Sequence, residues 1–202
     1  MTDLATALLR LDEITRKLRR ECPWDREQDE RTIVPHTVEE AYELADAART
    51  GDDAKLLDEL GDVLFQVYFL ALLLEERGRG DLAAVAEHCR SKLIRRHPHV
   101  FGERAAATAG DVVRNWNQIK RDDERGGEIF GHIPDTLPST LYAKKVLKRA
   151  ESAGSQLDSG GHDAGERLLA AVRDAVAAGV DPELALRQAA DRFREQVEED
   201  QR

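Results

Sequence analysis

No stretch of this chain alternates apolar and polar residues with a period of two, which argues against a sheet as its organising element. Long hydrophobic runs are missing as well. The longest covers residues 67–74, eight in all, against the roughly 20 that a bilayer span requires. Cysteine is scarce, with only Cys22 and Cys89 in 202 residues, too few for a disulfide framework. The N-terminus carries no secretory pattern, so both are expected as free thiols in a reducing cytoplasm. A basic excess is also absent. The formal charge of -10 disfavours non-specific nucleic-acid binding, which needs many cations against phosphates. It leaves room for a small phosphorylated substrate held through bound cations.

What is present reads as helix nearly throughout. Apolar residues make up 41% and charged residues 35%, the balance of a folded soluble protein. Alanine and leucine dominate, and the spacing of apolar residues predicts helices over 4–20, 53–77, 82–96, 111–124, 138–150, 166–178 and 182–198. Thr37 followed three residues later by Glu40 has the form of a capping box and predicts a further helix starting there and stopping near Gly51. The expected fold is an all-α helical bundle. The glycine- and serine-rich segment 152–165 is the linker candidate, dividing a domain over 1–150 from a helical extension over 151–202.

The chemistry concentrates in Glu39-Glu40-Ala41-Tyr42-Glu43 and Glu59-Leu60-Gly61-Asp62. Helical spacing puts Glu39 and Glu43, Glu40 and Glu43, and Glu59 and Asp62 on shared faces. Two antiparallel helices joined near Gly51 would bring these carboxylates together. Like charges so placed repel, and a divalent cation reverses the sign of the interaction. Carboxylate oxygens alone suit Mg²⁺ or Mn²⁺ rather than zinc. Gly61 is expected to permit close helix approach. The apolar stripe Leu60, Val63, Leu64, Val67, Leu70, Ala71 and Leu74 places Asp62 on an almost fully buried helix, where its charge needs a partner. A metal answers that need, and so does a buried arginine. Against this stands the ordinary reading that glutamates at helical spacing form a solvated face.

These motifs, with Cys22-Pro23-Trp24-Asp25, Arg95-Arg96-His97-Pro98-His99-Val100-Phe101 and Trp116-Asn117-Gln118-Ile119-Lys120, resemble in order those of MazG-type nucleoside triphosphate pyrophosphohydrolases. The resemblance spans roughly residues 10–150. It implies an all-α, Mg²⁺-dependent enzyme, with Mn²⁺ a possible substitute, that releases monophosphate and pyrophosphate from nucleoside triphosphates. It implies Glu40, Glu43, Glu59 and Asp62 as metal ligands and Glu39 as a further acidic group, so that all five are catalytic candidates. Glu39 and Glu43 are both candidates to orient or deprotonate the attacking water. Lys92, Arg95, Arg96 and Lys120 are implied as phosphate contacts. Trp24 and Trp116 are carried as nucleotide-proximal, with core packing as the alternative. Lys144 is a weaker candidate of that kind, with solvated surface as its default. A helical regulatory protein without chemistry is the competing function, and the intact Glu40, Glu43, Glu59 and Asp62 argue against it.

Residues 179–187 and 192–194 resemble the close of a second MazG-like module whose middle is missing, a degenerate and shortened remnant in which no paired-glutamate motif stands. The helix over 53–77 is apolar in nearly all directions, which with the resemblance implies a homo-oligomer, a dimer above all, with Leu70 or Leu73 near its interface; cover by the remaining helices of one chain is the alternative.

Overall fold

A computed structural model describes residues 3–103, 106–124, 128–155 and 163–201. Among the described residues every regular element is a helix, and none is long and apolar enough to cross a membrane. The chain forms two compact units, Met1–Arg95 and Arg96–Arg202. Their junction falls inside the segment 1–150 that the sequence reading treats as one domain. Most of the expected linker, residues 156–162, lies outside the described residues.

In the first unit α1 (Leu4–Glu21) is followed by the short α2 (Pro23–Glu27), then α3 (Glu30–Thr50), α4 (Asp53–Glu76) and α5 (Leu82–Arg96). Pro23 stops one helix and starts the next, its fixed φ suiting a first helical position. The start of α3 corrects the capping box expected at Thr37. Asp29 accepts from the amides of Arg31 and Thr32, and the Thr32 hydroxyl accepts from the Asp29 amide. The helix then continues through Pro35, which lacks the N–H that would reach the Arg31 carbonyl. Gly51, at φ +73°, takes the left-handed conformation that ends α3. Asp52 caps α4 immediately afterwards, so the two helices form a tight hairpin.

The core sits between α3 and α4, where Ile33, Phe69 and Leu73 are buried with Phe65 and Leu70 packed against them. Leu73 therefore belongs to the chain's own core. The large apolar residues of α4 left exposed are Leu57, Leu60, Leu64 and Val67. On α1, Arg16 makes a forked pair with Glu75 at 3.0 and 2.6 Å, and Arg19 does the same with Glu76 at 2.9 Å for each arm. Arg19 also donates to the carbonyls of Asp25 and Gln28, tying α2 to this seam.

The second unit holds α6 (Pro98–Phe101), α7 (Ala109–Glu124), α8 (Ser139–Ser152), α9 (Ala164–Ala177) and α10 (Pro182–Asp200). Asp163 and Glu166 form the capping box of α9. Asp181 caps α10 ahead of Pro182 and also accepts from Lys144 of α8. Buried Glu183 accepts from Thr140 and is paired with Arg187 at 2.7 Å. Asp181 and Glu183 thus tie α8 to the start of α10, while Asp163 and Glu166 close the N-terminal end of α9.

Candidate metal centre

The α3–α4 hairpin delivers the carboxylates to one place. Oxygens of Glu40, Glu43 and Glu59 all lie within 4.8 Å of one another. Glu43 is exposed, Glu40 half-buried, and Glu59 buried with only 7% of its surface accessible. Oε2 of Glu59 is buried without a hydrogen-bond partner. Leaving a buried carboxylate oxygen unsatisfied is costly, and an oxygen-seeking cation is the group that would satisfy it.

The electrostatics carry the same mark. Burial pushes the Glu40 carboxyl above its ordinary value, and the charges of Asp62, Glu43, Glu59 and Glu39 push it in the same direction. Burial likewise raises Glu59, reinforced by Glu43, while Lys55 pulls it back before Asp62 and Asp58 add to the rise. Among the described residues neither carboxyl is lowered by an arginine in the way the Arg49 bond holds Asp46 below its ordinary value. Two causes, desolvation and like charge, thus act together on groups that a divalent cation would relieve.

Asp62 corrects one expectation. It is exposed rather than sunk in an apolar surround, because Leu60 and Leu64 beside it are exposed too. It contributes its charge to Glu40 and Glu59 but stands outside the three-carboxylate group. Gly61 corrects another, since a Cβ there would meet nothing within 4 Å and no close approach depends on it. Glu39 is also outside the group, its Oε2 lying 3.7 Å from Nδ1 of His36. His36 in turn packs edge-on against Trp24, which is 51% exposed and so is no core residue.

The basic candidates divide between the units. Lys92 and Arg95 lie on α5 in the first, half-buried and exposed respectively. Within the second unit Arg96 is buried with its guanidinium 5.3 Å from the Trp116 ring, and His97 meets that ring edge-on at 4.8 Å. Lys120 is half-buried on α7. Lys144 is not the solvated cation its default reading supposes, because it is ion-paired with Asp181. Lys55 is the group that the sequence reading passes over. Its spacing four residues before Glu59 is the signal that would have found it.

Residues 28–101 match the family described as the MazG nucleotide pyrophosphohydrolase domain, a span that holds α3, α4 and the three clustered glutamates. An uncharacterised protein of Streptomyces cacaoi is 39% identical over 196 residues, covering 94% of this chain and 81% of that protein. A nucleoside triphosphate pyrophosphohydrolase of Escherichia coli (strain K12) is 41% identical over 136 residues, covering 66% of this chain. The chain spans only 52% of that enzyme's length. A crystal structure of a MazG-related protein from Thermotoga maritima is 27% identical, covering 55% of this chain and 97% of its own, with a TM-score of 0.48. The chain carries a MazG-family nucleoside triphosphate pyrophosphohydrolase domain over residues 28–101.

Proposed function

We propose that this protein hydrolyses nucleoside triphosphates, ribo- or deoxy- and damaged forms among them, to monophosphate and pyrophosphate with Mg²⁺. The observation that carries the reading is the meeting of Glu40, Glu43 and Glu59 around a buried carboxylate oxygen that has no partner. The name of the Escherichia coli relative supports the choice of reaction. Glu40, Glu43 and Glu59 would hold the cation, with Asp62 adding charge at the rim. A divalent cation held there would supply charge neutralisation for phosphate oxygens and acidify the attacking water.

The chain's own groups do the remainder. Burial of Glu59 limits the rotamers open to its carboxylate, which lowers the entropy lost when it takes hold of a cation. Exposed Glu39, beside His36, and exposed Glu43 are the two candidates to orient or deprotonate the attacking water. Lys92, Arg95, Arg96 and Lys120 supply cationic groups of the kind that contact phosphates. The domain over 1–150 carries this chemistry, and the extension over 151–202 is a shortened second-module remnant without it.

The test is a panel of ribo- and deoxynucleoside triphosphates, oxidised ones included, with Mg²⁺ and with products resolved by chromatography. Monophosphate with stoichiometric pyrophosphate is expected. Diphosphate with inorganic phosphate assigns a different reaction, and no Mg²⁺-dependent turnover across the panel favours a helical regulator.

A further inference from the structure

Building on that reading of the metal centre, we propose that Thr37 and Gln66 are positioning residues that hold α3 and α4 in the register that aligns the carboxylates. The two side chains meet across the hairpin. The Thr37 hydroxyl lies 3.3 Å from Oε1 of Gln66 and 3.4 Å from the carbonyl of Ile33, within donating reach of either.

Their places along the helices connect them to the site. Thr37 precedes Glu40 by three residues, and Gln66 follows Asp62 by four and Glu59 by seven, so each shares a helix face with the carboxylates of its own helix. Moving along the hairpin from the core, the rungs are Ile33 with Phe69, then Thr37 with Gln66, then the acidic residues, then Asp46 with Lys55 at 3.3 Å. The carboxylates lie between two polar ties. The Asp46–Lys55 tie is exposed and correspondingly weak, whereas Gln66 is buried to 6% accessibility.

Packing alone does not account for Gln66. Its rung adjoins Phe69 and Ile33, where an apolar side chain of similar volume would avoid the desolvation of an amide. What the amide adds is direction. A hydrophobic seam tolerates small slips, while a hydrogen bond closes in one register. The need for register is specific here, because like charges on α3 and α4 push the helices apart when no cation is bound. The Thr37–Gln66 bridge resists that separation one turn from Glu40.

The experiment uses the full chain and Mn²⁺ as probe, with free Mn²⁺ read by electron paramagnetic resonance and folding by circular dichroism and thermal melting. Thr37→Val keeps shape and removes the bridge, Gln66→Leu removes it from the other side, and Thr37→Ser keeps the hydroxyl. Thr37→Val and Gln66→Leu are expected to weaken Mn²⁺ binding about fivefold, the scale of one lost hydrogen bond, with Thr37→Ser within about twofold of the unmodified chain. The Mg²⁺ concentration for half-maximal turnover should rise in parallel while KM for the triphosphate at saturating Mg²⁺ holds. Should Gln66→Leu fail to fold, Thr37→Val decides alone. A lowered melting temperature with unchanged Mn²⁺ affinity in Thr37→Val reduces the bridge to a structural contact and overturns the proposal. If the unmodified chain binds no Mn²⁺, the metal centre itself is wrong and this inference falls with it.

Discussion

Lys55 donates to Asp46 across the α3–α4 turn at 3.3 Å and lies one helical turn before Glu59 on the same face. It is the cation that draws Glu59 back toward its ordinary acidity against burial and Glu43. Lys55→Met should therefore leave the acidic group more strained in the absence of metal. The exposed pair itself contributes little, so the metal-free melting temperature should fall only slightly. Saturating Mg²⁺ should raise the variant's melting temperature by more than it raises that of the unmodified protein. Calorimetry with chelator and with Mg²⁺ measures both increments, and equal increments would remove Lys55 from the electrostatics of the site.

A pH dependence follows from Glu40 and Glu59. Both carboxyls sit above their unfolded value, Glu40 through burial and then Asp62, Glu59 through burial and then Glu43. The folded state therefore binds protons more tightly than the unfolded chain. This contribution to stability is fully present below the unfolded carboxylate pKa and is lost as pH rises through the folded values. Mg²⁺ competes with those protons, so the gain in melting temperature on adding Mg²⁺ should grow from about pH 5 upward and level off once both groups are ionised. A gain that is constant from acid to neutral pH would show that these carboxylates are not what the cation displaces protons from.

Much of this was legible in the sequence, and the misses have physical causes. Period and composition placed α4, α5, α7 and α10 closely because each begins or ends at a strong signal, such as Gly78 after α4 or Asp181 and Pro182 at α10. Thr37 misled because Thr-x-x-Glu carries the capping pattern wherever it falls, and only Asp29 with Thr32 shows that α3 has already started. The glutamates of the cluster were legible from spacing. The exposure of Asp62 was not, since an apolar stripe does not reveal which of its flanks the chain itself covers. No spacing or composition signal singles out Gln66, and its partner across the hairpin appears only in three dimensions.

Glu43→Ala should reduce turnover by about a hundredfold or more, as expected for losing several kcal/mol of charge stabilisation in the transition state. Asp62→Ala, at the rim, should also remove most turnover. Both should melt at or above the temperature of the unmodified protein without metal, because each relieves repulsion on Glu59. Steady-state rates at low Mg²⁺ with parallel melting curves check the pair. Near-unmodified turnover in both variants would sink the assigned site.

The tail acids should behave differently. Glu166 closes the capping box of α9, and Asp181 caps α10 while binding Lys144. Their replacement by alanine should cost about 1 kcal/mol of stability each, the worth of a cap, and leave kcat within about twofold once folded protein is compared. For Asp181, burial pushes the carboxyl up, yet the Lys144 bond and the amides of Leu184 and Glu183 outweigh it and hold it below its ordinary value. Its stabilisation is thus present above the unfolded pKa and lost as pH falls through the folded one. Loss of turnover in a well-folded Glu166→Ala or Asp181→Ala protein would place chemistry in the extension.

The working protein should be a homodimer built on the α3–α4 hairpin. Leu60, Leu64 and Val67 follow one another at helical spacing on α4 and remain 49%, 37% and 39% exposed, and Val34 and Val38 do the same on α3 at 45% and 52%. A second hairpin related by a two-fold axis would cover both rows and close a four-helix core. Leu64→Asp puts an unpaired charge on that face without touching the chain's own core, so it should yield a folded monomer. Leu73→Asp strikes the core formed with Ile33 and Phe69 and should unfold the protein, which makes it the control rather than the probe. Multi-angle light scattering at micromolar and sub-micromolar concentration is the measurement, with the unmodified chain expected at twice 22.6 kDa. A fully active, well-folded species at 22.6 kDa under both conditions would mean that these exposed leucines and valines need no second copy.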